Sequence, residues 1–430
     1  MSEPLRIGIA GLGTVGGGVV KLIEKARTVL AVRCGREIEI HAVSARDRSK
    51  GRGFDTSSYK WLDDPMELAR LDEIDLVVEL IGGSEGVALD LVNQAIANGK
   101  HVVTANKALI AHHGPAIAKA AEEKGVTVAY EAAVAGGIPV VKGLREGLIA
   151  NEITKLYGIL NGTCNYILTD MEQSGRAFAD VLAEAQELGY AEADPAFDVG
   201  GIDTAHKLTI LACLAFGTAV PFEDVFVEGI EHITAEDIAF AGELGYRVKL
   251  LGIASREASG VAARVHPCLV KCEAPIAEVN GVMNGVTVEG DPVGATVFEG
   301  PGAGEGPTAS AVAADIADIA RGLNQNVYLT PAKDLDQSGL VPFESLTGTY
   351  YMRLSVIDRP GVIASISKIM GDAGVSIESL LQRGRHPNEP VTVVVQTHEI
   401  SESVMADVIR QIEALEAVVE KPCLIRIEAV

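Results

Sequence analysis

The sequence predicts an α/β chain of three parts: a doubly wound parallel-sheet domain, an α+β domain and a C-terminal βαββαβ module. Near the N-terminus, an apolar strand runs directly into a glycine turn and a helix. The regular alternation of strands and helices changes at about residue 131, and a compact pattern of four strands and two helices follows residue 349. With 430 residues the chain exceeds what one hydrophobic core usually supports, which agrees with several domains.

Composition excludes several classes of function. Hydrophobic residues make up 48% and charged residues 22% of the chain, the balance of a globular protein. A formal net charge of −23 argues against nucleic-acid partners and anionic membranes. The segment from Met1 to Arg6 has no signal-peptide pattern, and the six cysteines contain no CxxC pair. We therefore expect a cytoplasmic protein with reduced thiols, bound neither to nucleic acid nor to a membrane.

The first strand, at residues 5–10, leads into a GxGxxG motif. Its glycines allow a tight turn and a close approach of the backbone to a pyrophosphate, and the helix that follows offers free N–H groups to this anion. A glycine turn without a ligand is the alternative, which the strand–turn–helix order disfavours. We predict a Rossmann-type dinucleotide site that includes Gly11, Leu12, Gly13, Thr14, Val15 and Gly16.

A second strand, at residues 38–43, ends where the adenine ribose of a dinucleotide lies. A carboxylate at this position favours NAD, whereas an arginine pairs with the 2′-phosphate of NADP. Arg46 and Arg48 flank one carboxylate, Asp47, so the sequence favours NADP(H), with NAD(H) also possible. Solvated loop charges are the alternative, which is stronger for Arg48 than for Arg46.

Further strands at 75–80, 100–104 and 126–130 complete this domain, which is predicted to span residues 1–130. The strand at 100–104 is followed by Lys107, which therefore lies at the carboxyl edge of the sheet, where ligands bind. A helix at 305–325 is expected to return to the domain and complete it.

Residues 131–304 are predicted to form an α+β domain for catalysis and dimerisation. In its most specific stretch a helix ends, a turn presents carboxylates, and a new helix places a carboxylate and a lysine one turn apart. Such a group suits a small zwitterionic substrate, and an acidic capping loop with an ordinary ion pair is an equal alternative on spacing alone. The charged residues of this stretch are Glu192, Asp194, Asp198, Asp203 and Lys207.

The run from Ala185 to Lys207 resembles the signature of homoserine dehydrogenases along its whole length. The resemblance implies NAD(P)H-dependent, reversible reduction of L-aspartate 4-semialdehyde to L-homoserine, a step in threonine, methionine and isoleucine biosynthesis. It covers most of the chain and also includes the N-terminal glycine motif, Thr104–Lys107, Glu131–Pro139, Leu160–Tyr166 and Gly300–Gly304.

The resemblance also implies site residues. Hydride addition to an aldehyde develops negative charge on oxygen, which a cation stabilises and then protonates. Lys207 is implied as the proton donor with Lys107 as its partner, and the sequence leaves open which of the two gives the proton. The other implied contacts are Glu192, Asp203 and Asp198 to substrate, Gly189 and Gly304 to the nicotinamide, and Glu131 with the backbone carbonyls of Val134, Gly136 and Ile138 to a monovalent cation, usually sodium.

Residues 326–348 are a weakly patterned linker, and residues 349–430 resemble an ACT domain, with Asp358–Val362 as its ligand loop. This second resemblance implies threonine as effector and a homodimer or homotetramer, and a module used only for dimerisation is the alternative. Because the linker has few apolar residues, the sequence also predicts that residues 1–348 fold without the module.

Two other functions compete. An aspartate-semialdehyde dehydrogenase needs an activated cysteine with a histidine base, and Cys164 is the nearest candidate, although its sequence context is not that of a nucleophile. A non-catalytic amino-acid sensor with a vestigial dinucleotide domain is the other alternative. The intact glycine motif and the Glu192, Asp203 and Lys207 side chains argue against a sensor.

Overall fold

The computed structural model describes residues 3–383 and 389–430, so Met1 and Ser2 of the segment examined for a signal peptide lie outside it. Within the described residues, the first domain contains β1 (Leu5–Ala10), α1 (Thr14–Cys34), β2 (Ile38–Ser44), β3 (Lys60–Leu62), α2 (Met66–Arg70), β4 (Leu76–Glu79), α3 (Val87–Ala97), β5 (His101–Thr104), α4 (Lys107–Lys124) and β6 (Val128–Ala129). Its strands form a parallel sheet in the order β3-β2-β1-β4-β5-β6, that of a doubly wound dinucleotide-binding domain.

This sheet is apolar on both faces because helices cover both. Ile7 and Ile9 of β1 and Val77 and Val78 of β4 are fully buried, which explains their unbroken apolar runs. From β1 the chain builds the sheet first on one side, through β2 and β3, and then on the other, from β4 to β6. The crevice between β1 and β4, at the carboxyl edge of these strands, is therefore where a ligand is expected to bind.

The middle domain combines helices with antiparallel strands. Along the described chain these are α5 (Val140–Lys142), β7 (Glu152–Ile159), α6 (Gly162–Ser174), α7 (Phe178–Glu187), α8 (Ala196–Val199), α9 (Ile202–Phe216), β8 (Phe226–Val227), α10 (Ala235–Glu243), β9 (Tyr246–Glu257), β10 (Gly260–Lys271), β11 (Met283–Asp291), β12 (Gly294–Pro301) and α11 (Glu305–Ala320). The glycine-rich loop predicted at 300–304 is shorter than expected, because Gly300 and Pro301 pair with β11 as the end of β12.

Helix α11 returns to the first domain and packs against α1. Its Val312 and Ile316 share a buried core with Ile7 and Ile9 of β1. The two helices approach closely at Gly18, where a Cβ atom would lie 2.7 Å from the Glu305 Cγ and 3.1 Å from the Ala309 Cβ. The returning helix therefore covers the glycine-rich start of α1.

The C-terminal module has the predicted βαββαβ order. Its described elements are β13 (Thr347–Ile357), α12 (Val362–Asp372), β14 (Ile377–Gln382), β15 (Pro390–Thr397), the short β16 (Ile400–Ser401), α13 (Glu402–Glu413) and β17 (Cys423–Glu428). Strand β17 pairs with β13 on one side and, in parallel, with β10 of the middle domain on the other. The described strands therefore form one continuous sheet, β12-β11-β7-β9-β10-β17-β13-β15-β14, across both domains.

A buried ion pair reinforces this junction. The Arg353 Nε of β13 donates to the Asp237 Oδ1 of α10 at 2.6 Å, and Nη2 donates to Oδ2 at 3.1 Å. Tyr351 donates its hydroxyl to the same carboxylate at 3.2 Å. Burial raises the pKa of Asp237, but the bonds from Arg353 and Thr234 outweigh it and leave this pKa below its ordinary value.

The linker is anchored firmly, so the expectation of a loosely attached module is wrong. Val327, Tyr328 and Leu335 are buried, and the Tyr130 hydroxyl donates to the Val327 carbonyl oxygen at 2.6 Å. The few apolar residues of the linker suffice because the first two domains provide a surface for them. Removal of residues 349–430 would uncover Asp237 and the β10 edge, so the prediction that residues 1–348 fold alone loses its basis.

In the described part of the chain, no helix combines the length and apolarity of a membrane span.

Candidate active site

The glycine motif forms the turn between β1 and α1. Gly11 has a φ of +98°, and a Cβ atom there would lie 2.4 Å from the Leu80 carbonyl oxygen. A Cβ atom at Gly16 would lie 1.9 Å from the Gly11 oxygen, whereas one at Gly13 would meet nothing within 4 Å. Gly11 and Gly16 are therefore required by the turn itself, and the space at Gly13 is open to a ligand. Gly13 gives α1 no side-chain cap, so the first N–H groups of this helix suit a pyrophosphate.

A cleft of about 590 Å³ lies beside this turn at the carboxyl edge of the sheet, and its lining includes Gly11, Gly13, Arg46, Asp47, Lys50 and Arg52. The Asp47 carboxylate accepts bonds from the Ser49 backbone N–H at 2.8 Å and from the Ser49 hydroxyl at 2.6 Å. These bonds lower the pKa of Asp47 and occupy one of its oxygens. Of Arg46 and Arg48, only Arg46 lines the cleft, and the Arg48 guanidinium lies 5.6 Å from the centre of the Trp61 ring.

Two lysines meet on one carboxylate. The Lys107 Nζ lies 2.7 Å from the Asp203 Oδ1, and the Lys207 Nζ lies 2.8 Å from the Asp203 Oδ2. Lys207 also donates to the Leu160 carbonyl oxygen at 2.6 Å. The Lys107 side chain is 35% exposed, whereas those of Lys207 and Asp203 are 11% and 4% exposed. The sequence predicted the Asp203–Lys207 pair, and the resemblance implied Lys107 as the partner of Lys207; the structure brings both lysines onto Asp203.

Local capping interactions place both helices. Lys107 is the first residue of α4, which Asn106 caps by accepting from the Leu109 N–H at 3.1 Å. The Asn106 backbone N–H donates to the Thr104 hydroxyl oxygen at 2.9 Å, and Thr104 donates to Glu79 at 2.6 Å. Strands β4 and β5 therefore fix the start of α4 directly. Asp203 lies in the first turn of α9, and α4 packs against α9.

The carboxylates of the site respond oppositely to their surroundings. Burial raises the pKa of Asp203, but the Lys207 and Lys107 ammonium groups outweigh it and hold this pKa far below its ordinary value. Burial also raises the pKa of Asp198, and there the hydrogen bond from Asn161 offsets only part of the effect. Asp203 is therefore a permanent anion between two cations.

Of the other residues predicted to contact a ligand, Asp198 lies beside Asp203, whereas Glu192 is exposed on a turn. Asp198 is half-buried beside Asp203, and one side-chain nitrogen, the Asn161 Nδ2, donates to both carboxylates. Glu192 is exposed on the turn after α7, where its backbone oxygen accepts from Gln186 at 3.0 Å. Gly189 ends α7 with a φ of +77°, and Gly304 begins α11 with a φ of +120°.

The predicted cation site is a buried turn rich in oxygen atoms. Glu131 is 2% exposed, and its carboxylate accepts from the Val141 N–H at 3.0 Å and from the Lys142 N–H at 2.8 Å. Burial and the neighbouring Asp315 raise the pKa of Glu131 to about 7. The chain bearing the carbonyls of Val134, Gly136 and Ile138 turns back sharply, with a φ of +51° at Ala135 and +36° at Gly136.

Cys164 has the environment of a structural thiol. It is fully buried, its Sγ donates to the Asp198 carbonyl oxygen at 3.2 Å, and burial raises its pKa well above the ordinary value. A reactive cysteine needs a lowered pKa, so the geometry disfavours the thioester chemistry of the competing dehydrogenase.

Sequence reasoning missed two side chains at this site. Asn161 belongs to the Leu160–Tyr166 motif, which indicated a family but no role for this residue. Phe197 is partly exposed, and its ring centre lies 5.5 Å from the Lys107 Nζ and 5.5 Å from the His206 ring. An aromatic residue inside the signature was the only signal for Phe197.

Comparison with known proteins agrees with this geometry. Family models match residues 11–131 (homoserine dehydrogenase, NAD binding domain), 139–317 (homoserine dehydrogenase) and 350–417 (ACT domain). The chain is 49% identical to the homoserine dehydrogenase of Pseudomonas aeruginosa over 99% of both chains. A crystal structure of a homoserine dehydrogenase from Thiobacillus denitrificans is 47% identical, with a TM-score of 0.93 over 99% of this chain and 98% of that chain. A hyperthermophilic archaeal homoserine dehydrogenase in complex with NADPH is 26% identical, with a TM-score of 0.64 over 75% of this chain and 99% of that chain. The chain therefore belongs to the homoserine dehydrogenase family.

Proposed function

We propose that this protein catalyses the reversible NAD(P)H-dependent reduction of L-aspartate 4-semialdehyde to L-homoserine. The observation that carries the proposal is the group Lys107, Asp203 and Lys207 at the carboxyl edge of the dinucleotide sheet. A sensor without catalysis needs no pair of lysines held on one carboxylate, so this alternative is disfavoured.

The two lysines suit stabilisation and protonation of the carbonyl oxygen. When bound, the cofactor supplies a hydride to the aldehyde carbon. An ammonium group has three N–H donors, and two of those on Lys207 are used by Asp203 and the Leu160 oxygen. The third is available to the carbonyl oxygen, stabilises its developing negative charge and delivers the proton. We assign the donor role to Lys207 and a supporting, more exposed cationic role to Lys107. Asp203 holds both ammonium groups in place.

Substrate orientation is assigned to carboxylates. The substrate carries an ammonium group, and Asp198 and Glu192 are the acidic side chains that the resemblance implies as substrate contacts besides Asp203. Because Glu192 is exposed on its turn, we propose that it contacts substrate only after this turn closes over the site. Gly189 and Gly304, both with positive φ, are proposed to border the nicotinamide.

We propose NADP(H) as the preferred cofactor, with NAD(H) also possible. Arg46, Lys50 and Arg52 line the cleft at the end of β2, while Asp47 is engaged by Ser49. These cations suit a 2′-phosphate, whereas the one carboxylate at the end of β2, Asp47, has one oxygen bound to Ser49 and the other available to a ribose diol.

A monovalent cation, sodium by the resemblance, is proposed at Glu131 and the carbonyls of Val134, Gly136 and Ile138. An oxygen-only donor set suits a hard cation. Charged side chains surround the proposed site. Lys142 lies 3.4 Å from the Asp315 Oδ1 and also pairs with Asp318, and Arg145 is buried nearby. Asp318 also lies 3.3 Å from the Arg321 Nη1, so three carboxylates face three cations, and the oxygen atoms of the turn alone carry the cation proposal.

The C-terminal module is proposed to bind threonine at the loop Asp358–Val362. Gly361, with a φ of +94°, begins α12 there, so the loop presents a helix N-terminus to an amino-acid carboxylate.

We also propose a homodimer or homotetramer. Strand β12 is an edge strand of the described sheet, and its Val297 is 45% exposed, which leaves an apolar residue at the edge for such an assembly.

We predict that Lys207→Ala lowers the kcat for homoserine-dependent NADP+ reduction at least ~100-fold, the usual scale for a lost general acid. NADPH binding, followed by fluorescence titration, should stay unchanged. Lys119→Ala, on the exposed face of α4, is the control and should behave as wild type. A decrease of less than tenfold would transfer the donor role to Lys107, and absence of turnover in the wild type would refute the function.

The cofactor proposal predicts that Arg46→Ala raises the KM for NADPH about tenfold or more and leaves the KM for NADH nearly unchanged. Only NADPH has a phosphate to lose its partner. Arg48→Ala is the matched control, since its guanidinium lies against Trp61. Equal effects of Arg46→Ala on both cofactors would show that Arg46 does not select between them.

The cation proposal predicts a pH-dependent effect of sodium. Sodium binds the ionised Glu131 carboxylate, whose pKa of about 7 makes protons compete below that pH. The rise in Tm caused by sodium, against choline at equal ionic strength, should be present at about pH 8 and largely lost at about pH 6. Glu131→Gln should abolish it. A sodium effect that persists in this variant would place the ion elsewhere.

For regulation, we expect threonine to inhibit the full chain and Asp358→Ala to raise the inhibitory concentration about tenfold or more, the scale of one charge-assisted hydrogen bond. The uninhibited kcat should not change. Asp372→Ala, at the other end of α12, is the control. Unaltered inhibition in Asp358→Ala would argue for an effector site outside this loop.

A further inference from the structure

Asn161 connects the two carboxylates of the site, and its orientation is fixed. It lies between β7 and α6, is 5% exposed and caps α6, where its Oδ1 accepts from the Cys164 N–H at 2.8 Å. An oxygen is required at that end of the amide, because its partner is a donor. The nitrogen must therefore point the other way, towards Asp198 and Asp203.

The Asn161 nitrogen donates to the Asp198 Oδ1 and to the Asp203 Oδ2, both at 2.8 Å. The two acceptors come from different helices, α8 and α9. Both amide hydrogens are used, and they bring together a half-buried and a buried carboxylate that would otherwise repel each other. A neutral donor is suited to this place. Lys107 and Lys207 already balance two negative charges, so a third cation or a third carboxylate would disturb the balance.

We propose that Asn161 is a positioning residue of the reaction, which holds the Asp198 and Asp203 carboxylates together and so fixes the Lys107–Asp203–Lys207 group. It acts through the carboxylates and does not touch the reacting atoms. The proposal rests on the proposed function for its kinetic consequence, but the contacts that carry it do not depend on the identity of the substrate.

The hydrogen bond from Asn161 to Asp198 affects how kcat/KM depends on pH. Asp198 faces Asp203 and Lys207 of α9, Lys107 of α4, and Cys164 of α6, together with Asn161. Burial raises the pKa of Asp198, and the Asn161 bond lowers it. Loss of this bond raises the pKa further. Asp198 then takes up a proton at higher pH, and the acid limb of the kcat/KM profile moves to higher pH.

Two variants test the proposal while keeping the cap of α6. Asn161→Ser and Asn161→Asp both provide an oxygen for the Cys164 N–H, since Ser and Asp are good N-cap residues. Both lose the two amide donors, and Asn161→Asp adds a third carboxylate. We expect the acid limb to move up by about one pH unit in Asn161→Ser, the shift that one hydrogen bond to a charged group produces, and by more in Asn161→Asp. kcat should fall by about tenfold or more in both variants, with the KM for NADPH unchanged.

Asn165→Asp is the matched control. Asn165 is another buried asparagine of α6, and its amide donates to the backbone oxygens of Val279 and Met283 instead of to carboxylates. This variant can lower the melting temperature but should leave the acid limb in place. An equal shift in Asn165→Asp, or an unmoved limb in both Asn161 variants, would overturn the proposal.

A measurement without turnover separates this proposal from the function. The carboxyl carbon of Asp198, followed by ¹³C NMR across the pH range, should titrate at higher pH in Asn161→Ser than in the wild type. Inactivity of the wild type would refute the proposed function and leave this result standing. An active wild type with an unshifted Asp198 titration would refute the role of Asn161 alone.

Discussion

The site depends on the ion pairs that the Asp203 carboxylate makes with two lysines. This carboxylate is almost completely buried and lies between the ammonium groups of Lys107 and Lys207. An isolated carboxylate is costly at such a depth, and so is an isolated lysine, but the two lysines and the carboxylates of Asp203 and Asp198 compensate one another. The three residues of the Lys107–Asp203–Lys207 group come from two places in the chain, because α4 brings Lys107 from the first domain and α9 brings Asp203 and Lys207 from the second.

This constraint explains why the neighbouring structure is so well bonded. Glu79 and Thr104 fix the start of α4, and Asn161 fixes the carboxylates from the other side. A displacement of either helix would leave a buried charge without its partner. Such a displacement is therefore strongly opposed, which keeps the proposed proton donor in register with the dinucleotide cleft.

The continuous sheet gives the C-terminal module a rigid connection to the middle domain. Pairing of β10 with β17 joins the backbones, and the buried Asp237–Arg353 pair joins the side chains. The ion pair is buried at the junction, so separating the domains would break its hydrogen bonds and expose both side chains. A displacement within the module would therefore be transmitted to α10 and β10. Regulation by a ligand requires, in addition, different contacts in two states of the protein.

The sequence by itself determined the features that depend on local pattern. The glycine motif followed from a strand and a helix that flank it, and the Asp203–Lys207 pair followed from a spacing of one helical turn. The βαββαβ order followed from its periodicity. Strand β9 cannot be recognised from alternation, because both of its faces are buried and its apolar residues form an unbroken run.

Tertiary structure alone decided the contacts between distant segments. It brought Lys107 to Asp203, left Glu192 exposed, separated Arg46 from Arg48 and buried the linker. The physical reason is the same in each case. Periodicity fixes which face a residue occupies on its own element, whereas the packing of one element against another fixes which residues that face meets.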